Sequence, residues 1–368
     1  MKKIFFSVLC LAALLIFSFD SSATSQELKA QLEKSFFGEL DSEVGEILEE
    51  NEIVSFDYEK LFSSGFDNIR AFFSDTLKEK LEADAGWFFM MLCLLMLMSV
   101  FSSAYDFSSS NDMLALFTAL IISVTTVGKI TSFVNCTVSA ISLNSKLMLS
   151  FVPVFTVLIS LSGSPTSALT YNSLVLLFCE LMSAFIDKIY LGLIGAYFSL
   201  SLSFSLNSNI NLNRFVNCVN RCVNMILGFA ASMFTGFLTL KNILSFSTDS
   251  LSVKGVKFLI NSLIPVIGSS LSEAYSAILG SINLMKGSLG VIGVFALVLI
   301  NIPALCEGVI HYALMSLLSC FAEILGLSRA SETLKCFSSC VRILLLVCLF
   351  HVFILLISTG IMMMLKGN

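Results

Sequence analysis

Charge is what this chain has least of: Asp, Glu, Lys and Arg make up 13% of 368 residues, against 56% hydrophobic. Such a chain cannot clothe a water-soluble globule of its size, and its composition is that of an integral membrane protein. Histidine is scarcer still, with only His311 and His351. There is no HExxH pair, no GxSxG with a triad partner and no phosphate loop with its lysine, so no enzyme activity, metal or cofactor is expected. No cysteine lies between Thr24 and Gly86, which excludes a disulfide-stapled region there. The other cysteines lie in or beside apolar segments. Cys218 with Cys222, and Cys336 with Cys340, are four apart on one helix face, a spacing that serves a metal pair or, more simply, small apolar packing. No nucleic-acid partner is expected.

What is present falls into three regions. Lys2 and Lys3, the apolar run Ile4 to Phe19 and the small residues Ser21-Ser22-Ala23 read as a signal peptide over 1–23, with an uncleaved first span as the rival reading. Residues 24–85 form an acidic region. Between Thr24 and Asp84 lie 16 Asp and Glu against 6 Lys and Arg, with Phe36, Phe37, Leu40, Val44, Ile47 and Leu48 at helical spacing. One to three amphipathic helices outside the membrane are predicted, either as a solvated leader or as a docking surface for a partner.

Residues 86–368 form the transmembrane helical domain. Candidate spans are Gly86 to Ala104, Met113 to Val134, Leu147 to Gly163, Asn172 to Ile186, Tyr190 to Leu206, Met225 to Leu240, Gly287 to Ile302, Val309 to Leu325 and Ile343 to Leu365. Several are near the lower length limit, so the expectation is an all-α polytopic bundle of seven to nine spans. Basic residues are spread over nearly every connection and select no topology. If the acidic region is exported, Gly86 to Ala104 enters from outside. The Asn-rich connection Asn207 to Asn224 reads as an interfacial helix, and the small residues of Gly228 to Gly236 and Gly287 to Gly293 allow close helix approach.

Two proline-bearing segments stand out. Val256 to Ser281 carries Pro265 and Gly268 inside a helical apolar rhythm, and Lys146 to Ala168 matches it at an offset of 112 (Leu147 with Leu259, Pro153 with Pro265, Ser160 with Ser272). The match is either an internal duplication or chance in a Ser-rich chain. As a duplication it would place two broken or re-entrant helices at a shared midplane site, with Pro153, Pro265 and Gly268 at the breaks. Ionisable residues in apolar segments are the other candidates: Glu180, Asp187 with Lys188, Glu307 with His311, Glu323 and His351. Glu307 and His311 are four apart and face the same way, which suits a proton or cation relay or a helix-end carboxylate.

Several blocks resemble one family. Lys257 to Gly268 (KFLINSLIPVIG), Gly287 to Val294 (GSLGVIGV), Pro303-Ala-Leu305, Phe151 to Val154 and Met362 to Leu365 look like stage III sporulation protein AE of endospore-forming bacteria, most specifically over Val256 to Ala304. That resemblance implies a multi-pass component in the mother-cell membrane around the forespore. It implies a channel or secretion-like complex with other stage III sporulation membrane proteins and a cytoplasmic ATPase subunit, supporting late forespore gene expression. It further implies a permease-like pathway subunit, the alternative being an autonomous secondary transporter or exporter of a small solute.

Overall fold

The computed structural model describes residues 40–53, 58–104, 108–162, 214–229 and 268–364, with isolated positions between 30 and 38, 169 and 199, and 231 and 236. Every described element is helical. They are α1 (Ser42–Glu50), α2 (Tyr58–Ala104), α3 (Ser108–Leu161), α4 (214–229), α5 (Gly268–Ile324) and α6 (Ser328–Met364). The expected signal peptide, Glu180, Asp187, Lys188 and Pro265 lie outside the described residues.

Four of these helices, α2, α3, α5 and α6, are long and apolar enough to cross a membrane. At 1.5 Å rise per residue the 57 residues of α5 reach about 85 Å, well over twice the roughly 30 Å of hydrocarbon in a bilayer. This length corrects the predicted division into spans. Met113 to Val134 and Leu147 to Gly163 were expected as two crossings and form the single helix α3; Gly287 to Ile302 and Val309 to Leu325 are likewise joined in α5. The six candidate spans that fall on these helices therefore become four. α2 also runs without interruption across the 85/86 boundary, so the end of the acidic region and the first apolar run are one helix.

Pro153 is a second correction. Helix continues on both sides of it to Leu161 and it is exposed, so it does not break the helix. A proline there forfeits the bond to the preceding turn, but neighbours Phe151, Val152, Val154 and Phe155 are buried and hold the segment against the core. Pro303 is likewise inside α5, and Gly268 is the first residue of that helix.

α5 is the hub, and paired contacts fix the direction of its neighbours. Along α2 and α5, Gly65 meets Phe295, Lys80 meets Glu307, and Ser99 donates to the Leu325 carbonyl, so the two helices run parallel. α3 runs antiparallel to both, with Thr125 at Met91, Ser132 at Glu307, Asn144 at Asn301 and Phe151 at Gly293. α6 folds back on α5, with Ser331 opposite Ser319 and Ser338 opposite Ser316.

The α5–α6 reversal has a local cause. Gly326, at φ 76°, supplies the left-handed residue after the helix; its N–H donates to the Glu323 carbonyl and the Leu327 N–H to Ala322. This is a Schellman motif with glycine where a Cβ would be strained. α1 ends in the same arrangement, with Glu52 at φ 59° and the buried Ile53 donating back to Leu48.

Close approach is concentrated where α5 is small. A Cβ on Gly293 would stand 2.5 Å from the Phe151 ring, and one on Gly308 2.7 Å from Phe133 and 2.8 Å from Leu345. Gly290 abuts Met363 in the same way, whereas Gly228, Gly236 and Gly287 have open space. Several hydroxyls inside the apolar helices are satisfied locally: Thr125, Thr137, Thr156 and Thr359 each donate to the carbonyl four residues back.

Candidate functional site

Three helices bring ionisable side chains into the bundle interior at one level, and they form two rungs. In the first, Glu307 of α5 receives the Lys80 ammonium of α2 on Oε2 at 2.8 Å and the Ser132 hydroxyl of α3 on Oε1 at 2.9 Å. In the second, Asp84 of α2 receives Lys129 of α3 on Oδ1 at 2.6 Å and Nε2 of His311 from α5 on Oδ2 at 2.8 Å. Each rung therefore ties α2, α3 and α5 together through one carboxylate.

The local reason is register. Lys80 and Asp84 are four apart on α2, as are Glu307 and His311 on α5, so each pair occupies one face one turn apart. Because α2 and α5 run parallel, both rungs form at once. Lys129 and Ser132 are three apart on α3 and descend as the other helices ascend, which matches Lys129 to the upper rung and Ser132 to the lower.

Burial sets the energetics. The Asp84 and Glu307 side chains are 6% and 4% exposed and His311 1%, while Lys80 and Lys129 retain 30% and 27%. The carboxylates are committed to the interior, and the lysine stems reach inward from the margin with part of each side chain still wet. The two carboxylates each face one ammonium group, so the two ion pairs close on themselves. A buried set of this kind adds little net stability over apolar packing, but removing one member strands its partner. Its contribution is to specify one register of three helices. His311 meets Asp84 through Nε2, lies edge-on to the Phe133 ring, and has no hydrogen-bond partner at Nδ1.

A second buried polar contact lies further along the α3–α5 interface. Asn144 and Asn301, both fully buried, exchange amide hydrogen bonds at 3.1 and 3.0 Å, and Asn301 also donates to the Leu297 carbonyl at 2.6 Å. Two residues further along α3, Lys146 reaches Asp41 at 3.2 Å and Glu43 at 3.0 Å, holding the start of α1 against the bundle.

The sequence-predicted residues separate clearly. Glu307 and His311 share a face, as their spacing required, yet each bonds to other helices rather than to the other. Glu323 is an exposed partner of Lys335 at 2.8 Å across the α5–α6 reversal, a contact of small energetic weight. His351 is buried in α6. Cys336 and Cys340 are buried and Cys218 and Cys222 exposed, all as free thiols, and among the described residues no three His, Cys, Asp or Glu are arranged to hold a metal ion. Sequence reasoning missed Lys80, Asp84, Lys129 and Ser132. The signal for Lys129 was there: a lone lysine inside an apolar segment demands a carboxylate.

Comparison with known proteins gives two matches. The family model described as Stage III sporulation protein AE matches residues 51–366. Stage III sporulation protein AE of Bacillus subtilis (strain 168) is 22% identical over 167 residues, covering 45% of this chain and 42% of that relative, so the matched stretch is less than half of either. No solved structure matches.

Proposed function

The chain belongs to the stage III sporulation protein AE family, and on that premise we propose that it is a multi-pass membrane subunit of a complex linking mother cell and forespore, needed for late forespore gene expression. The observation that carries this reading is the family match, which runs through all four helices able to cross a membrane. In this reading the subunit lies in the mother-cell membrane, its N-terminal acidic region is extracytoplasmic after signal-peptide removal, and it contributes to a permease-like pathway. Its partners are other stage III sporulation membrane proteins and a cytoplasmic ATPase subunit, and it has no catalytic activity of its own.

The two-rung network supports a role in fixed assembly. Both buried carboxylates already have two partners each, which suits holding helices in place more than binding and releasing a substrate ion. The alternative is an autonomous secondary transporter or exporter of a small solute, coupled at Glu180 or at Glu307 with His311.

Affinity purification of the tagged full chain from membranes of sporulating cells tests the proposal. The expected result is co-recovery of other stage III sporulation membrane proteins with an ATPase, and a strain lacking the chain is expected to lose late forespore transcription. Recovery of the chain by itself, with solute uptake into proteoliposomes that H311N or E307Q abolishes, would replace the subunit reading with the transporter.

A further inference from the structure

On the side of α5 away from the two rungs, a polar pocket of about 420 Å3 opens between α4, α5 and α6. Ser316 of α5, Ser338, Ser339 and Arg342 of α6, and Asn217 and Asn220 of α4 line it. Its volume falls within the roughly 300–1,000 Å3 of small-ligand sites. Lys335, also at the pocket, is already neutralised by Glu323 at 2.8 Å. Arg342 is different: among the described residues no carboxylate pairs with it.

That leaves a concave site with one guanidinium that no described carboxylate pairs with, hydroxyls from two helices and two carboxamides from a third. Ser316 and Ser338 are 3.0 Å apart, so one of the two hydroxyls donates to the other and the second proton is free to point into the pocket. Donors of this kind around a guanidinium suit a tetrahedral oxyanion, because the planar fork of arginine donates to two oxygens at once. The position within the chain adds a second argument. Arg342 is the last charged residue before the apolar run Ile343 to Leu365, and Leu317 and Phe321 of α5 are exposed nearby in sequence to the pocket's serines. A basic pocket between apolar helices at the edge of such a run is where phosphate head groups are held.

We infer that the α4–α5–α6 pocket binds a phosphate-bearing anion, with Arg342 as its principal charge and the serine hydroxyls and asparagine amides as its remaining donors. The phosphate comes either from an anionic lipid head group or from a soluble phosphate.

The test uses the purified full chain and its thermal midpoint, titrated with inorganic phosphate in detergent and compared between nanodiscs of phosphatidylcholine alone and nanodiscs containing phosphatidylglycerol. Stabilisation by inorganic phosphate identifies a soluble ligand, and stabilisation by phosphatidylglycerol only identifies a head group. In either case R342Q is expected to weaken the response roughly tenfold, the loss of a charge-assisted bidentate contact, and R342K to recover part of it. Should R342Q fail to fold, the pair S338A and S339A with Arg342 retained is expected to weaken the same response. The inference is overturned when neither phosphate source shifts the wild-type midpoint, or when these variants respond as the wild type does.

Discussion

Lys80 and Glu307 meet at 2.8 Å between two parallel helices, and they are not equivalent partners: the carboxylate is 4% exposed and the lysine 30%. Lys80→Met strands a buried carboxylate without a compensating charge, whereas Glu307→Gln leaves a lysine that can extend to water. The first is therefore expected to cost about 3 kcal/mol and the second less. The double variant is expected to be less destabilised than the sum of the singles, by about 0.5–3 kcal/mol. Thermal denaturation in detergent measures all three, and strict additivity would show that the pair does not couple α2 to α5.

Asn144 and Asn301 make a reciprocal pair with no solvent to replace it. Asn144→Leu leaves the Asn301 carbonyl without its donor, at a cost of about 1–3 kcal/mol. Asn301→Leu is expected to be at least as harmful, because it also abandons the Leu297 carbonyl. Replacing both by leucine is expected to recover part of the loss, read from the same denaturation midpoint.

Three glycines of α5 separate packing from helix propensity. Gly287→Ala meets open space and is expected to stabilise by up to about 1 kcal/mol, the helical gain of alanine over glycine. Gly293→Ala and Gly308→Ala drive a methyl into the Phe151 and Phe133 rings and are expected to destabilise by about 1–3 kcal/mol despite that gain. Equal midpoints for the three variants would contradict the close α3–α5 approach.

Glu52 holds φ 59° at the end of α1, a backbone region that costs a residue with a Cβ roughly 1–2 kcal/mol. Glu52→Gly is expected to raise the stability of the full chain by up to about 1 kcal/mol, since glycine's extra freedom in the unfolded state takes back part of the gain. The check is a shift in denaturation midpoint, with Glu50→Gly, inside the helix, expected to move it the other way.

The class of fold was legible because composition alone dictates apolar helices, and the co-facial placement of Glu307 and His311 followed from their spacing. The number of helices was not legible. Hydropathy falls across 135–146 and around 303–308, and such dips resemble loops. In the structure they hold Thr137, Asn144 and Glu307, buried polar groups that face neighbouring helices. A hydropathy window averages around the helix and cannot tell a connection from a polar face turned inward. Lys80 and Asp84 were hidden for a related reason: they counted as part of an acidic leader, yet they sit on the helix that carries the first apolar run. The α4–α5–α6 pocket needs residues more than a hundred positions apart, and nothing local announces it.

The central claim is that α2 and α5 run parallel and that each long helix crosses once. Topology mapping with reporters at 105–107, after 162, at 325–327 and after Met364 tests it most directly. The expected result is one side for 105–107 and 325–327, and the opposite side for 162 and the end of α6. With the N-terminal region outside, the first pair is cytoplasmic. Reporters at 105–107 and 325–327 on opposite sides, or a switch of side within α3 between 135 and 146, would contradict it.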